Sequence, residues 1–153
     1  NKVIFLHEKD GFLENNEKIR SKVVKLIKTY KPEIVFGFDP ANRDFASLNL
    51  NHKDHRNAGE IVFDSVFAAK NKYLFTGNPH KADKIYFFGS NKPNYFENVT
   101  NKIDLKLRAL SKHKSQFTDF SKVEGHVKKV LGRNSKKYKY SEAFRVVNVV
   151  QIT

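Results

Sequence analysis

Three side chains able to bind a metal or move a proton, His52, Asp54 and His55, fall close together in a chain of 153 residues. The two histidines stand three apart where a helix is predicted to begin, so both rings can lie on one side of its first turn. Neutral imidazole is a good zinc ligand. Asp54 suits either of two jobs, a further ligand or the partner that fixes a histidine tautomer. Zinc hydrolases commonly take three protein ligands and leave one position for water, so two histidines and an aspartate begin such a site without completing it. Six histidines occur in the chain, and an H-x-x-H pair also arises by chance on a solvated helix start. Position has to decide between these readings.

The surrounding pattern supplies that position. Val3-Ile4-Phe5-Leu6 is predicted as a short buried strand, followed by a polar loop through Asp10-Gly11. Asn15 or Asn16 can cap a helix with inward positions Ile19, Val23, Ile27 and Tyr30, stopped by Pro32. Residues 33–38 read as a second strand ending in Asp39-Pro40. A long loop leads to a helix opening near Asp54, with Ala58, Ile61, Val62, Ser65, Val66 and Ala69 inward. Residues 84–88 read as a third strand, 103–117 as a helix, 121–131 as a weaker helix, and 144–150 as a last strand. Alternating strands and helices with continuous apolar strands predict an α/β fold with a mostly parallel sheet covered on both faces. Ligands of such sheets bind beyond the carboxyl ends of the strands. Those ends lead to Asp10-Gly11, to Asp39-Pro40 and the loop that delivers His52, Asp54 and His55, and to Gly89-Ser90.

Composition narrows the classes further. No window approaches the ~18–20 uninterrupted apolar residues of a membrane span. Cysteine is absent, which removes disulfides, thiolate nucleophiles and Cys-ligated metals and fits a reducing, cytoplasmic setting. The chain starts on Asn1 and enters an apolar run at once, so it reads as the later part of a longer domain whose targeting region is not visible. Residues 1–153 form one domain in this reading, and homo-oligomerisation is left open.

Several separated segments, in order, resemble the LmbE-like, PIG-L-type zinc-dependent N-acetylglucosaminyl deacetylases. Asp10-Gly11-Phe12-Leu13 is similar to the family's D-G-x-L loop, and Lys31 to Phe36 to its K-P-E-I-V-F strand. Phe38-Asp39-Pro40 resembles F-D-P, and the segment from His52 to Gly59 resembles H-P-D-H-R-x-x-G, with Lys53 in place of proline. The run from Lys106 to Gln116 resembles K-x-x-A-L-x-x-H-x-S-Q, and Glu142-Ala143-Phe144 resembles a terminal E-x-F. The resemblance implies a Rossmann-like three-layer sandwich that hydrolyses the N-acetyl amide of a GlcNAc-type glycoconjugate. It implies that His55 is a zinc ligand and that His52 stabilises the tetrahedral oxyanion and protonates the leaving amine. Asp54 would orient His52, and Asp10 would contact sugar hydroxyls. Asp39 either lines the site as a substrate-binding residue or caps the turn before Pro40. The family's A-H-P-D-D-E motif, with the other zinc ligands and the general base, does not occur in this chain. Its natural place is upstream of Asn1, so the metal site is expected to be completed there, or else the chain is a non-catalytic remnant.

His113 and Gln116 read as packing or structural groups, and His7, His80 and His126 as solvated. The charge of +13 raises an alternative, a nucleic-acid or anionic-surface binder. Tyr138 and Tyr140 stand among lysines as a stacking and phosphate-tracking surface requires. The lysines, however, are spread around the helices, and Lys and Asn are abundant throughout, so nucleic acid is not the expected partner; the partner that the resemblance implies is a small glycoconjugate.

Overall fold

The computed structural model describes residues 2–44, 51–117 and 119–150. Their contacts gather into two compact units, Asn1–Lys92 with Arg145–Thr153, and Pro93–Phe144.

The first unit begins with residues 2–16 outside any helix or strand. The expected strand at Val3 to Leu6 is not formed: Val3 and Phe5 are 77% and 73% exposed. A strand needs a ladder partner, and the Leu6 carbonyl instead accepts from Lys22 Nζ at 3.2 Å. Helix α1, Glu17–Tyr30, opens where Asn16 Oδ1 accepts from the Ile19 N–H at 3.1 Å, which satisfies one of the amides a helix start leaves free. It closes on left-handed Lys31, whose N–H reaches the Ile27 carbonyl, and Pro32 cannot continue it. Ile19, Val24 and Ile27 are buried, whereas Tyr30, expected inward, is exposed.

Strand β1, Ile34–Phe38, pairs in parallel with β2, Lys84–Phe88, so Phe38 and Phe88 end side by side on one edge. Between them runs α2, Lys53–Ala69, which buries Ile61, Ser65, Val66 and Ala69 as its sequence predicts. The core joins Val24 and Ile27 to Val66, Ala69, Ile85 and Phe87; complete burial of a side chain the size of Phe87 is worth about 1.5–3 kcal/mol. The sheet itself departs from expectation. Strand β4, Ser141–Asn148, runs antiparallel to β2, with Phe87 opposite Arg145 and Lys84 opposite Asn148. The sheet is therefore mixed, not mostly parallel. Apolar content reveals a strand but not its direction; here the chain re-enters beside the carboxyl end of β2 and can only run back along it. His80, expected in solvent, is half-buried: its Nε2 lies 2.8 Å from the Pro32 carbonyl, and its N–H donates to Ala69.

In the second unit, β3, Tyr95–Asn98, pairs antiparallel with the Ser141–Phe144 part of β4. Helices α3, Ile103–Leu110, and α4, Phe120–Leu131, close a small core of Ile103, Leu107 and Leu131. The predicted helix over 103–117 stops at Leu110 and gives way to turns. From Ser111 to Gln116 no apolar residue remains to bury, so nothing offsets the entropy of further helical turns. His113 lies in those turns, exposed. Lys106 Nζ meets Glu142 Oε1 at 2.8 Å, which joins the K-x-x-A-L and E-x-F segments through an ion pair. Such a partly exposed pair is worth about 0–1 kcal/mol. Among the described residues no helix is long and apolar enough to cross a membrane.

Candidate functional site

The carboxyl edge of β1 brings the first two motifs together. Asp54 Oδ2 accepts from the Gly11 N–H at 2.6 Å, and Oδ1 accepts from the Leu13 N–H at 3.2 Å. Asn57 Nδ2 donates to the Leu13 carbonyl at 2.5 Å. The Asp10–Leu13 loop is thus tied by three bonds to the first turns of α2. Gly11 has φ +80°, a conformation that L side chains adopt only with strain.

His52 is the N-cap of α2, and its Nδ1 accepts from the Asp54 backbone N–H at 3.2 Å. That bond assigns the tautomer of the neutral ring: with Nδ1 an acceptor, Nε2 carries the proton and is a donor. The Asp54 carboxylate does not itself meet the His52 ring, because both of its oxygens face the Gly11–Leu13 loop. Asp54 holds His52 through its backbone. His55 is half-buried and stacks on Phe38, with ring centroids 4.1 Å apart and planes 9° from parallel. The His52 and His55 rings lie 5.4 Å apart.

The tight seat of α2 on the strand end explains the glycine of the signature. A Cβ on Gly59 would stand 2.5 Å from the Phe38 carbonyl oxygen and 3.2 Å from Pro40 N. Both are backbone atoms, so the helix itself would have to lift. Gly59→Ala is expected to cost about 1–3 kcal/mol by overpacking. Urea denaturation of the two proteins checks this, and coincident midpoints would contradict so close an approach.

Asp39, expected either to bind substrate or to cap a turn, is buried and bound to a partner the sequence did not announce. Arg145 donates from Nε to Oδ2 at 2.9 Å and from Nη2 to Oδ1 at 2.6 Å, and the Ala41 N–H adds a third bond at 2.9 Å. Burial pushes the Asp39 carboxyl up, but hydrogen bonds from Arg145, Ser90 and Ala41, with the guanidinium charge, outweigh it and hold the carboxyl below the usual aspartate value. Arg145 also rests over the Phe87 ring at 5.2 Å. The pair lines a cleft of 470 Å³ with Arg43, Asp44, Asn91 and Lys92. Asp10 is exposed in its turn.

For a metal, the useful observation is His55 Nδ1, buried and without a hydrogen-bond partner among the described residues. An unpaired buried imidazole nitrogen suits a ligand whose electron pair, or whose opposite N–H, awaits a partner. Among the described residues no three His, Asp, Glu or Cys side chains converge on a common point. His55 fits as one donor of a metal site, and the described residues do not supply the rest.

Residues 1–66 match the family described as PIG-L, GlcNAc-PI de-N-acetylase. Over 116 residues the chain is 32% identical to a diacetylchitobiose deacetylase of Thermococcus kodakarensis, covering 72% of this chain and 42% of that protein. It superposes on the N,N′-diacetylchitobiose deacetylase of Pyrococcus horikoshii with a TM-score of 0.85 at 25% identity, covering 97% of this chain and 58% of that one. A conserved protein of Thermus thermophilus shares the fold at a TM-score of 0.79 and 23% identity, covering 97% of this chain and 66% of that one. The chain thus spans less than two thirds of the length of each of these relatives.

Proposed function

The chain belongs to the PIG-L (LmbE-like) de-N-acetylase family, and from that premise we propose that it forms part of an enzyme that removes acetate from an N-acetylated, GlcNAc-type sugar. The observation that supports this most directly is the His52–His55 pair at the exit of β1, backed by Phe38 and fastened to the Asp10–Leu13 loop. In this reading His52 Nε2–H donates to the amide oxygen as negative charge develops there, which lowers the barrier because the donor is already aimed. Asp54 is a positioning residue: it fixes the loop with its carboxylate and the His52 tautomer with its amide. Asp10 is left to accept from a sugar hydroxyl. Asp39 acts at one remove, holding the Arg145 guanidinium at the cleft.

His55 would hold a divalent metal, zinc in our reading, together with donors outside the described residues. When bound, that ion supplies Lewis acidity toward the amide and a water made acidic near neutral pH. Substrate chemistry comes from the relatives, one of which acts on diacetylchitobiose by name. The test is acetate release from N,N′-diacetylchitobiose by the intact protein, with zinc and after dialysis against a chelator. Acetate and free amine in equal amounts, lost with the chelator and restored by zinc, are expected. A folded, zinc-supplied protein that releases neither would overturn the reading.

A further inference from the structure

Away from His52 and His55, the first unit carries a second cavity of 560 Å³ between α1, α2 and the segment after α2, within the range of small-ligand sites. Its wall includes Glu17 and Arg20 of α1, Asp64 and Phe67 of α2, and Tyr73 and Leu74. How that wall is held is unusual. Lys28 is buried, 7% exposed, and its ammonium donates to three carbonyls, Leu74 at 2.9 Å, Phe75 at 3.0 Å and Gly77 at 3.3 Å. An ammonium has three N–H donors, so this set of carbonyls uses all of them. Phe75 is left-handed at φ +56°, rare for a bulky residue, and its ring packs against the core.

The consequence falls on the residues before it. With three carbonyls turned in to Lys28 and Phe75 anchored in the core, Tyr73 is left 82% exposed and Phe67 56% exposed. Lys72 Nζ lies 4.8 Å from the Tyr73 ring centroid. On the polar side, Asn15 bridges the helices: its Nδ2 donates to Asp64 Oδ2 at 2.7 Å and its Oδ1 accepts from Arg20 Nη1 at 3.0 Å. Glu17 makes no ion pair among the described residues. Outward aromatic rings beside the fixed Asp64 carboxylate, the Arg20 guanidinium and the open Glu17 carboxylate match the two characters of a pyranose, an apolar C–H face and a rim of hydroxyls.

We propose that this cavity is a second, non-catalytic carbohydrate site, which takes an N-acetylglucosamine-type oligosaccharide with Tyr73 as its stacking platform. The choice of sugar rests on the function proposed above; the site rests on its own geometry. It would hold a longer chain or polymer on the enzyme while one end is processed elsewhere.

The experiment is a saturation-transfer NMR titration with N,N′-diacetylchitobiose in the presence of chelator, so that no turnover intrudes. Wild type, Tyr73→Ala and Tyr73→Phe are compared. Tyr73→Ala is expected to weaken binding about tenfold, the upper range for one aromatic contact. Tyr73→Phe, which keeps the ring, should bind as wild type does. Tyr73 is exposed, so its replacement leaves the fold intact. Superimposable curves for wild type and Tyr73→Ala, or no binding by wild type, would overturn the second site. Acetate release, measured on the same preparations with zinc, reports on the proposed activity independently.

Discussion

Asp39→Asn is expected to lower stability by about 3 kcal/mol, the low end for breaking a buried ion pair because Arg145 keeps 28% of its side chain exposed. The Asp39 side chain is 1% exposed, and its oxygens receive two N–H groups from Arg145 and one from Ala41. Removing the charge leaves the guanidinium beside the Phe87 ring without its counter-ion. For a chain of this size the loss corresponds to roughly 6–12 °C in melting temperature. The pH dependence has a definite sign. The folded carboxyl titrates below its ordinary value, so its contribution is fully present above the unfolded pKa of about 3.9 and is lost as pH falls through the folded one. The gap between wild type and variant should therefore be flat from about pH 5 to 8 and close in acid. Thermal melts over that range and down into acid, below the unfolded pKa, check both statements. Equal melting temperatures at neutral pH would mean that the Arg145 clamp contributes nothing.

The second large effect concerns the histidines. Replacing His52 by Ala would remove both the imidazole and the helix cap, and the lost cap alone costs about 0.5–2 kcal/mol. His52→Asn separates the two, because Asn caps a helix as well as any residue. The Asn variant is expected to keep its melting temperature while turnover falls about 10²–10³-fold, the usual loss when an oxyanion donor is removed. His55→Ala should instead abolish stoichiometric zinc along with activity, since in the function proposed above its ring is one donor to the ion. Metal content by atomic emission and acetate release distinguish the two variants. Unchanged turnover in His52→Asn, or tight zinc retained by His55→Ala, would refute the corresponding role.

Much of the arrangement was legible because it is local. The Asn16 cap, the stop at Pro32, β2 and the inward stripe of α2 each follow from a few neighbouring residues. Their spacing and the strand before them place His52 and His55 at a helix start, where the structure has them. What failed was non-local. Val3 to Leu6 has strand composition but makes no ladder. The helix predicted over 103–117 ends at Leu110, because Ser111 to Gln116 offer no apolar side chain to bury. His80 looked like any exposed histidine until Pro32 and Ala69 came to lie beside it. The Asp54 carboxylate meets backbone amides more than forty positions earlier in the chain, a contact that no local spacing announces.

From its residues alone, this protein's chemical vocabulary was determined: imidazoles three apart at a helix start, a glycine loop, no thiol, and helices and strands in alternation. Only the folded chain decided which groups meet. It set the direction of β4, placed Arg145 on Asp39 across 106 positions, stacked His55 on Phe38 and turned Tyr73 outward. The reason is one of range. Periodicity and capping depend on atoms a turn or two away, whereas pairing of distant segments depends on how whole elements pack, which local spacing does not encode.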